Sequence, residues 1–361
     1  MTSQSLPREV ILMIVEAVVP PETETIFSAD SEVTKTLLAF TRVSKSTYPT
    51  ASALLWQNCL CIDTKKKAAA LSKALTSSSP EVLRQDLPVR LFLQPFPTER
   101  RPDELDMLDF QDNSYSSPLH NRSTAKLVEN IFIELAPVLR SLVIDMPLRS
   151  LHPEDDSEGV RPILRHGFEA LVNLEDFISV RDELYLSTTP DSFRSEPEVW
   201  ATCWPKLRRI ALYNAVLDPG DKTWMEMAGL PNLQMAVFSR ADPRGMGAVN
   251  IKQEWLGAVG AVNREMKQSN EEPRRNEISF AFIDTSEDLS GYYMWADENW
   301  EEIDPDNLVS VSKFGVNWLE FPIEEYVEGV PDPRDLCQEW LKVHALYGVL
   351  WENAARGNNS D

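Results

Sequence analysis

Catalysis needs groups that take up a proton, attack a carbon or hold a metal, and this chain brings few of them together. It has four histidines in 361 residues. His120 and His152 stand in polar sequence, His166 follows Arg165, and His344 falls within an apolar periodic stretch. None belongs to a motif that pairs a base with a serine or cysteine nucleophile. Gly245-Met246-Gly247 lacks the lysine that follows in a phosphate-binding loop and reads as a turn. Carboxylates cluster at Glu154-Asp155-Asp156 and across Glu301, Glu302, Asp304 and Asp306. A calcium loop needs a central glycine and a bidentate glutamate at its twelfth position, and the second run has no such glycine. Cys59 and Cys61 alternate with Leu60 and Ile62, while Cys203 and Cys337 stand alone. The four fit neither a disulfide framework nor a zinc signature. The expectation is a non-enzymatic protein without cofactor or metal, acting through its surfaces.

Tyr292, Trp295 and Trp300 are the aromatic candidates for such a surface, because they sit in acidic, loop-like sequence. Tryptophan is enriched in binding hot spots, and a negative rim suits a basic protein target. The net charge of -22 lies beyond residue 100: the first hundred residues hold 11 basic and 10 acidic side chains, and the rest carry -23. That balance argues against nucleic acid as a partner. An apolar content of 43% argues for a folded chain. No apolar stretch approaches the roughly 20 residues that span a bilayer, and the polar start does not read as a signal peptide. The expected location is cytoplasm and/or nucleus, with no membrane partner.

Helical spacing positions the first surface. Leu6-Pro7-Arg8-Glu9 runs into Val10, Ile11, Ile14, Val15 and Val18, apolar at intervals of three and four, with Pro7 suited to the first helical position. A second apolar run spans Leu37 to Lys45, and a third includes Ala51, Leu54, Leu55 and Trp56. Three short helices bury little by themselves, so their spare apolar face needs a partner or the rest of the chain.

Leu6-Pro7-x-Glu9, the aliphatic helix, Val43-Ser44-Lys45 with Tyr48, and Leu55-Trp56 together resemble an F-box in the form seen in filamentous fungi. The resemblance implies docking onto the small adaptor subunit of a cullin-based (SCF-type) ubiquitin ligase while the remaining chain selects a protein target. It implies adaptor-facing roles for Leu6, Pro7, Ile11, Ile14, Leu37, Val43, Ser44 and Trp56. The interval from Val19 to Lys35, with Pro20 and Pro21, is longer than the family's usual link between its first two helices. Two other readings stand beside it: an N-terminal cap whose apolar face covers the body, and a scaffold or binding protein outside any ligase.

Past residue 58 the chain reads as an α/β body. Cys59–Asp63 and Arg90–Phe96 suggest strands around a helix at Lys65–Leu75, and residues 98–124 a polar loop, so 59–124 forms a linking segment. From 125 a loose repeat appears: Leu139-x-x-Leu142-x-Ile144, Leu174-x-x-Phe177-x-Ser179, Leu207-x-x-Ile210-x-Leu212 and Leu233-x-x-Ala236-x-Phe238. The first leucines stand 35, 33 and 26 residues apart, each after a turn and a partly helical stretch. A strand and a helix recurring at this period point to a leucine-rich-repeat-like solenoid, with degenerate repeats in which Ser179 and Ala236 occupy the apolar positions. Strands are also expected at Ile278–Asp284 and Leu308–Ser312, with a terminal helix at Leu336–Trp351 capping one solenoid end and a frayed tail over 354–361. The predicted fold is thus α/β, with a three-helix F-box-like module over 1–58 followed by an irregular leucine-rich-repeat-like solenoid over 125–353.

Overall fold

The computed structural model describes residues 6–21, 23–77, 87–97, 117–189, 196–241, 249–270, 272–274, 277–285, 299–317 and 332–356. Three helices open the chain: α1 (Arg8–Glu16), α2 (Glu32–Val43) and α3 (Tyr48–Asn58). Pro7 is the N-cap of α1, one position ahead of the expected place. Ser31 caps α2 by accepting a hydrogen bond from the Thr34 amide at 3.1 Å. The three helices close around a small core of Val15, Val19, Leu37 and Ala51.

The body is an α/β architecture built by repetition of a parallel strand and a helix. Its strands are β1 (Leu60–Ile62), β2 (Val89–Leu93), β3 (Leu139–Ile144), β4 (Asp176–Ser179), β5 (Arg209–Tyr213), β6 (Met235–Ser239), β7 (Ile278–Thr285) and β8 (Val309–Val316). All eight pair parallel in one sheet, in chain order from β1 to β8. A doubly wound sheet reverses its strand order and opens a ligand crevice at the reversal; this order never reverses. The intervening helices are α4 (Lys65–Ser77), α5 (Arg122–Leu135), α6 (Val160–Glu169), α7 (Val199–Cys203), α8 (Lys222–Gly229) and α9 (Ile251–Gln268). They stack neighbour on neighbour against one face of the sheet.

The repeat positions in the sequence are the register of the sheet. Leu142 pairs with Phe177, Phe177 with Ile210 and Ile210 with Ala236, and the row continues to Leu91 on one side and to Phe280 and Val311 on the other. The linking segment therefore supplies the first two strands of the same sheet. At the weak position, Ala236 pairs with Phe280, whose ring meets Trp224 at 5.9 Å and Trp255 at 5.6 Å. Bulk missing from one strand is provided by rings from the next strand and from α8 and α9.

The terminal segment differs from expectation. It forms two helices, α11 (Pro333–Leu346) and α12 (Leu350–Arg356), after a short α10 (Trp300–Ile303). These two helices lie on the second face of the sheet instead of capping an end. Phe92, Val143, Ile178, Ala211, Val237 and Ile283, the strand residues that alternate with the first face, form a second core with Leu336, Trp340, Leu341, Leu350 and Trp351. Lys342 pins α11 to the strand ends by donating to the buried Asp145 at 3.1 Å. The expected apolar stripe is broken at Tyr347, which is exposed, because Gly348 ends α11 with φ +71°. The amides of Gly348 and Val349 bond back to Ala345 and His344, the pairing of a helix that terminates on a left-handed glycine.

The long interval between α1 and α2 has a structural use. Its residues 23–27 cross to the far terminus as an extended strap. Ile26 donates its amide to Leu346 O at 2.8 Å and buries its side chain in the second core. Thr25 Oγ1 donates to Tyr347 O at 2.9 Å, and Phe27 donates its amide to Asn58 O at 2.7 Å. Glu24 accepts from Arg209 of β5 at 2.8 Å, and that guanidinium lies 5.0 Å from the centre of the Trp351 ring.

Candidate docking face and rim

The N-terminal helices carry more apolar surface than their core can take in. Val10 to Val15 are six apolar residues in succession, and at 100° per residue such a run passes more than once around a helix. Only Val15 of α1 is fully buried. Leu6 stays 59% exposed, Met13 66%, Ile14 46% and Val43 66%, and Val10, Leu38 and Tyr48 are exposed as well. A depression of about 300 Å³, lined by Lys35, Thr36, Ala39, Phe40 and Val43, follows one side of α2. Elsewhere among the described residues the large exposed apolar side chains are Ile133, Val172, Met225 and Tyr347, each on a different element. Apolar exposure concentrated on these helices makes them the candidate docking face, whereas isolated residues need no explanation.

The residues expected to face an adaptor separate into three groups. Leu6, Pro7, Ile14, Val43 and Ser44 are on the surface, and Ile11 is half-buried. Ser44 also has a structural task, since its Oγ accepts the Thr47 amide at 3.2 Å where the chain turns into α3. Leu37 is wholly buried at the centre of the three-helix core and has no surface to offer. Trp56 turns towards the main core of the body, which α3 contacts through β1 and β2. Val10, Met13, Leu38 and Tyr48 complete the exposed set; the unbroken apolar run of α1 was the signal for the first two.

The candidates for meeting a target fare differently. Tyr292 and Trp295 lie outside the described residues. Trp300 is half-buried on α10, with its ring centre 5.4 Å from the ammonium of Lys252, itself buried against Asp304 at 2.9 Å. The ring lies over the ammonium of that ion pair.

Helices pack on both faces of the sheet, and beside them lies the rim where the strands end. Along that rim Arg149 pairs with Glu183, and Arg161 lies beneath the loops that follow β3 and β4. Asp182 is buried there, accepting the amides of Leu184 at 2.9 Å and Arg149 at 3.2 Å. These bonds hold Leu184 in the left-handed region at φ +66°, where a branched side chain is strained. Burial pushes the Asp182 carboxyl up to about 7, and the neighbouring charge of Glu183 adds to the rise. An acid whose pKa is higher folded than unfolded stabilises fully below its unfolded value near 4 and loses that contribution as pH climbs through about 7. Urea denaturation of wild type and Asp182→Asn at pH 4 and pH 8 measures this. The wild type is expected to lose about 2–4 kcal/mol relative to the variant between the two; parallel curves would refute it.

The histidines have local partners. His166 meets Glu129 at 2.8 Å, His120 meets Asp155 O at 3.0 Å, and His344 donates to Trp340 O at 2.8 Å while stacking on that indole. Burial pushes the Cys337 thiol up to about 12, so it does not supply a thiolate. Among the described residues no group of three or more His, Cys, Asp and Glu side chains could hold a metal ion, and no helix is long and apolar enough to cross a membrane. No protein-family model matches the chain, and no curated protein matches it at a significant level.

Proposed function

We propose that the chain is a non-enzymatic substrate receptor of a cullin-based ubiquitin ligase, in which the N-terminal helices act as an F-box and the body as a leucine-rich-repeat-like solenoid. The observation that carries this reading is the concentration of exposed apolar side chains on helices whose own small core is already closed. It is supported by the residues that resemble an F-box, of which Leu6, Pro7, Ile14, Val43 and Ser44 are accessible. A receptor of this kind performs no covalent chemistry; it holds a target close to the ligase's catalytic partner, and proximity is its contribution. The second sheet face is filled by α11 and α12, so a target would meet the rim and the outer helices. A scaffold outside any ligase is favoured by one observation, the strap that fastens the same helices to the body.

Binding of the purified full chain to the ligase adaptor, followed by calorimetry, separates the two. Ile14→Asp with Val43→Asp places charge on two exposed apolar positions, and stability should stay within about 0.5 kcal/mol of wild type. The receptor reading expects adaptor affinity to fall about 100-fold or more, the scale of a binding hot spot. A folded wild type that ignores the adaptor overturns it.

A further inference from the structure

We infer that the strap at residues 23–27 is a latch which makes the N-terminal helices and the C-terminal helix pair release or hold together. A helix leaves its last carbonyls without intrahelical partners, and something else must satisfy them. At the end of α11 two of these carbonyls, Leu346 O and Tyr347 O, are bonded by the strap, through the Ile26 amide at 2.8 Å and Thr25 Oγ1 at 2.9 Å. A segment 322 positions away in sequence thus acts as the C-terminal cap of this helix.

The fit is built on both sides. A β-carbon on residue 348 would stand 2.6 Å from Glu24 C and 2.7 Å from Thr25 N, so glycine is required by the strap's approach as well as by its own φ of +71°. Ile26 fills part of the core beneath α11 and α12, and Glu24 pairs with the guanidinium that faces Trp351 of α12. The strap itself has no helix or strand to hold it in place. Its order therefore depends on the C-terminal helices, and their ending depends on it; such dependence is reciprocal in free energy. The Phe27 amide on Asn58 O carries the connection on to α3. The inference does not depend on what docks on the N-terminal helices.

Hydrogen exchange of the full chain, read by mass spectrometry, tests it with two variants. Glu24→Ala with Thr25→Val removes strap bonds and leaves the C-terminal helices unaltered; Gly348→Ala leaves the strap sequence unaltered and places a β-carbon against its backbone. In both variants, peptides covering 23–27 and 346–351 are expected to exchange at least 10-fold faster together, while β4 to β6 keep wild-type protection. Should Gly348→Ala lose protection throughout, the double variant alone decides. In the double variant, faster exchange confined to 23–27, no change in either segment, or loss of protection across the whole sheet each overturns the latch.

Discussion

Replacing Asp304 by alanine is expected to lower the unfolding free energy by about 3–5 kcal/mol. Asp304 and Lys252 are both nearly inaccessible and meet at 2.9 Å. The same carboxylate accepts the amides of Leu308 at 2.9 Å and Val309 at 3.0 Å, so it also sets the entry into β8. Its removal strands an ammonium whose other contacts, Asn307 Oδ1 at 3.0 Å and the Trp300 ring, are neutral. Burial by itself would raise the Asp304 pKa; hydrogen bonds from Lys252, Val309 and Leu308 outweigh it and hold the group below its ordinary value. Its contribution is consequently complete above about pH 4 and drains away as pH falls through the folded-state value. Adding Lys252→Met to the alanine variant should restore part of the loss, because no lone charge then stays inside. Urea unfolding at pH 7 measures the series, and a cost under about 1 kcal/mol for Asp304→Ala would contradict the pairing.

Arg161→Met is expected to cost a similar 3–5 kcal/mol, by leaving carbonyls inside without donors. Arg161 is 2% exposed, and its guanidinium donates to the carbonyls of Leu148, Leu151, Tyr185 and Ser187, with Tyr185 O at 2.9 Å. These carbonyls belong to the two loops that follow β3 and β4, so one side chain of α6 fastens both. The Tyr185 ring covers the guanidinium at 4.4 Å. Lysine at this position should rescue little, since three donors on one nitrogen cannot reproduce a planar fork. Amide exchange should accelerate first over 148–151 and 185–187. A variant as stable as wild type, or one in which those loops keep their protection, would refute the assignment.

Much of the body was legible because a parallel sheet imposes strict alternation. Leu142, Phe177, Ile210 and Ala236 were aligned by sequence spacing, and they are partners in register. The first two strands escaped inclusion because the connection between β2 and β3 is long, and it removes the period that identified their neighbours. The covered second face was hinted at by runs such as Ile210-Ala211-Leu212-Tyr213 and Phe280-Ala281-Phe282-Ile283, apolar in both alternations, as strands buried on both sides must be. An amphipathic stripe on the terminal helices says that a face is buried without saying against what. On the docking face, exposure follows from the surplus of apolar residues in α1, but the inward turn of Leu37 and Trp56 depends on packing that no local pattern encodes. Arg161 was invisible for a similar reason: it stands one turn before the partly accessible Arg165, and the two letters read alike. Ile26, a single aliphatic residue in a polar interval, has no periodicity to announce it.

The strap also sets a timetable for biosynthesis. Its partners at Leu346 and Tyr347 emerge from the ribosome some 320 residues after it does. At roughly 5–20 residues per second, Ile26 waits on the order of tens of seconds for the carbonyl it will bond. Through that interval the strands from β1 onward can add one to the next, each using contacts to its immediate predecessor, while the second sheet face and the strap remain uncovered. Until α11 and α12 are made, the sheet face that they cover has no cover from this chain, and that period is when a holding chaperone has the most to bind.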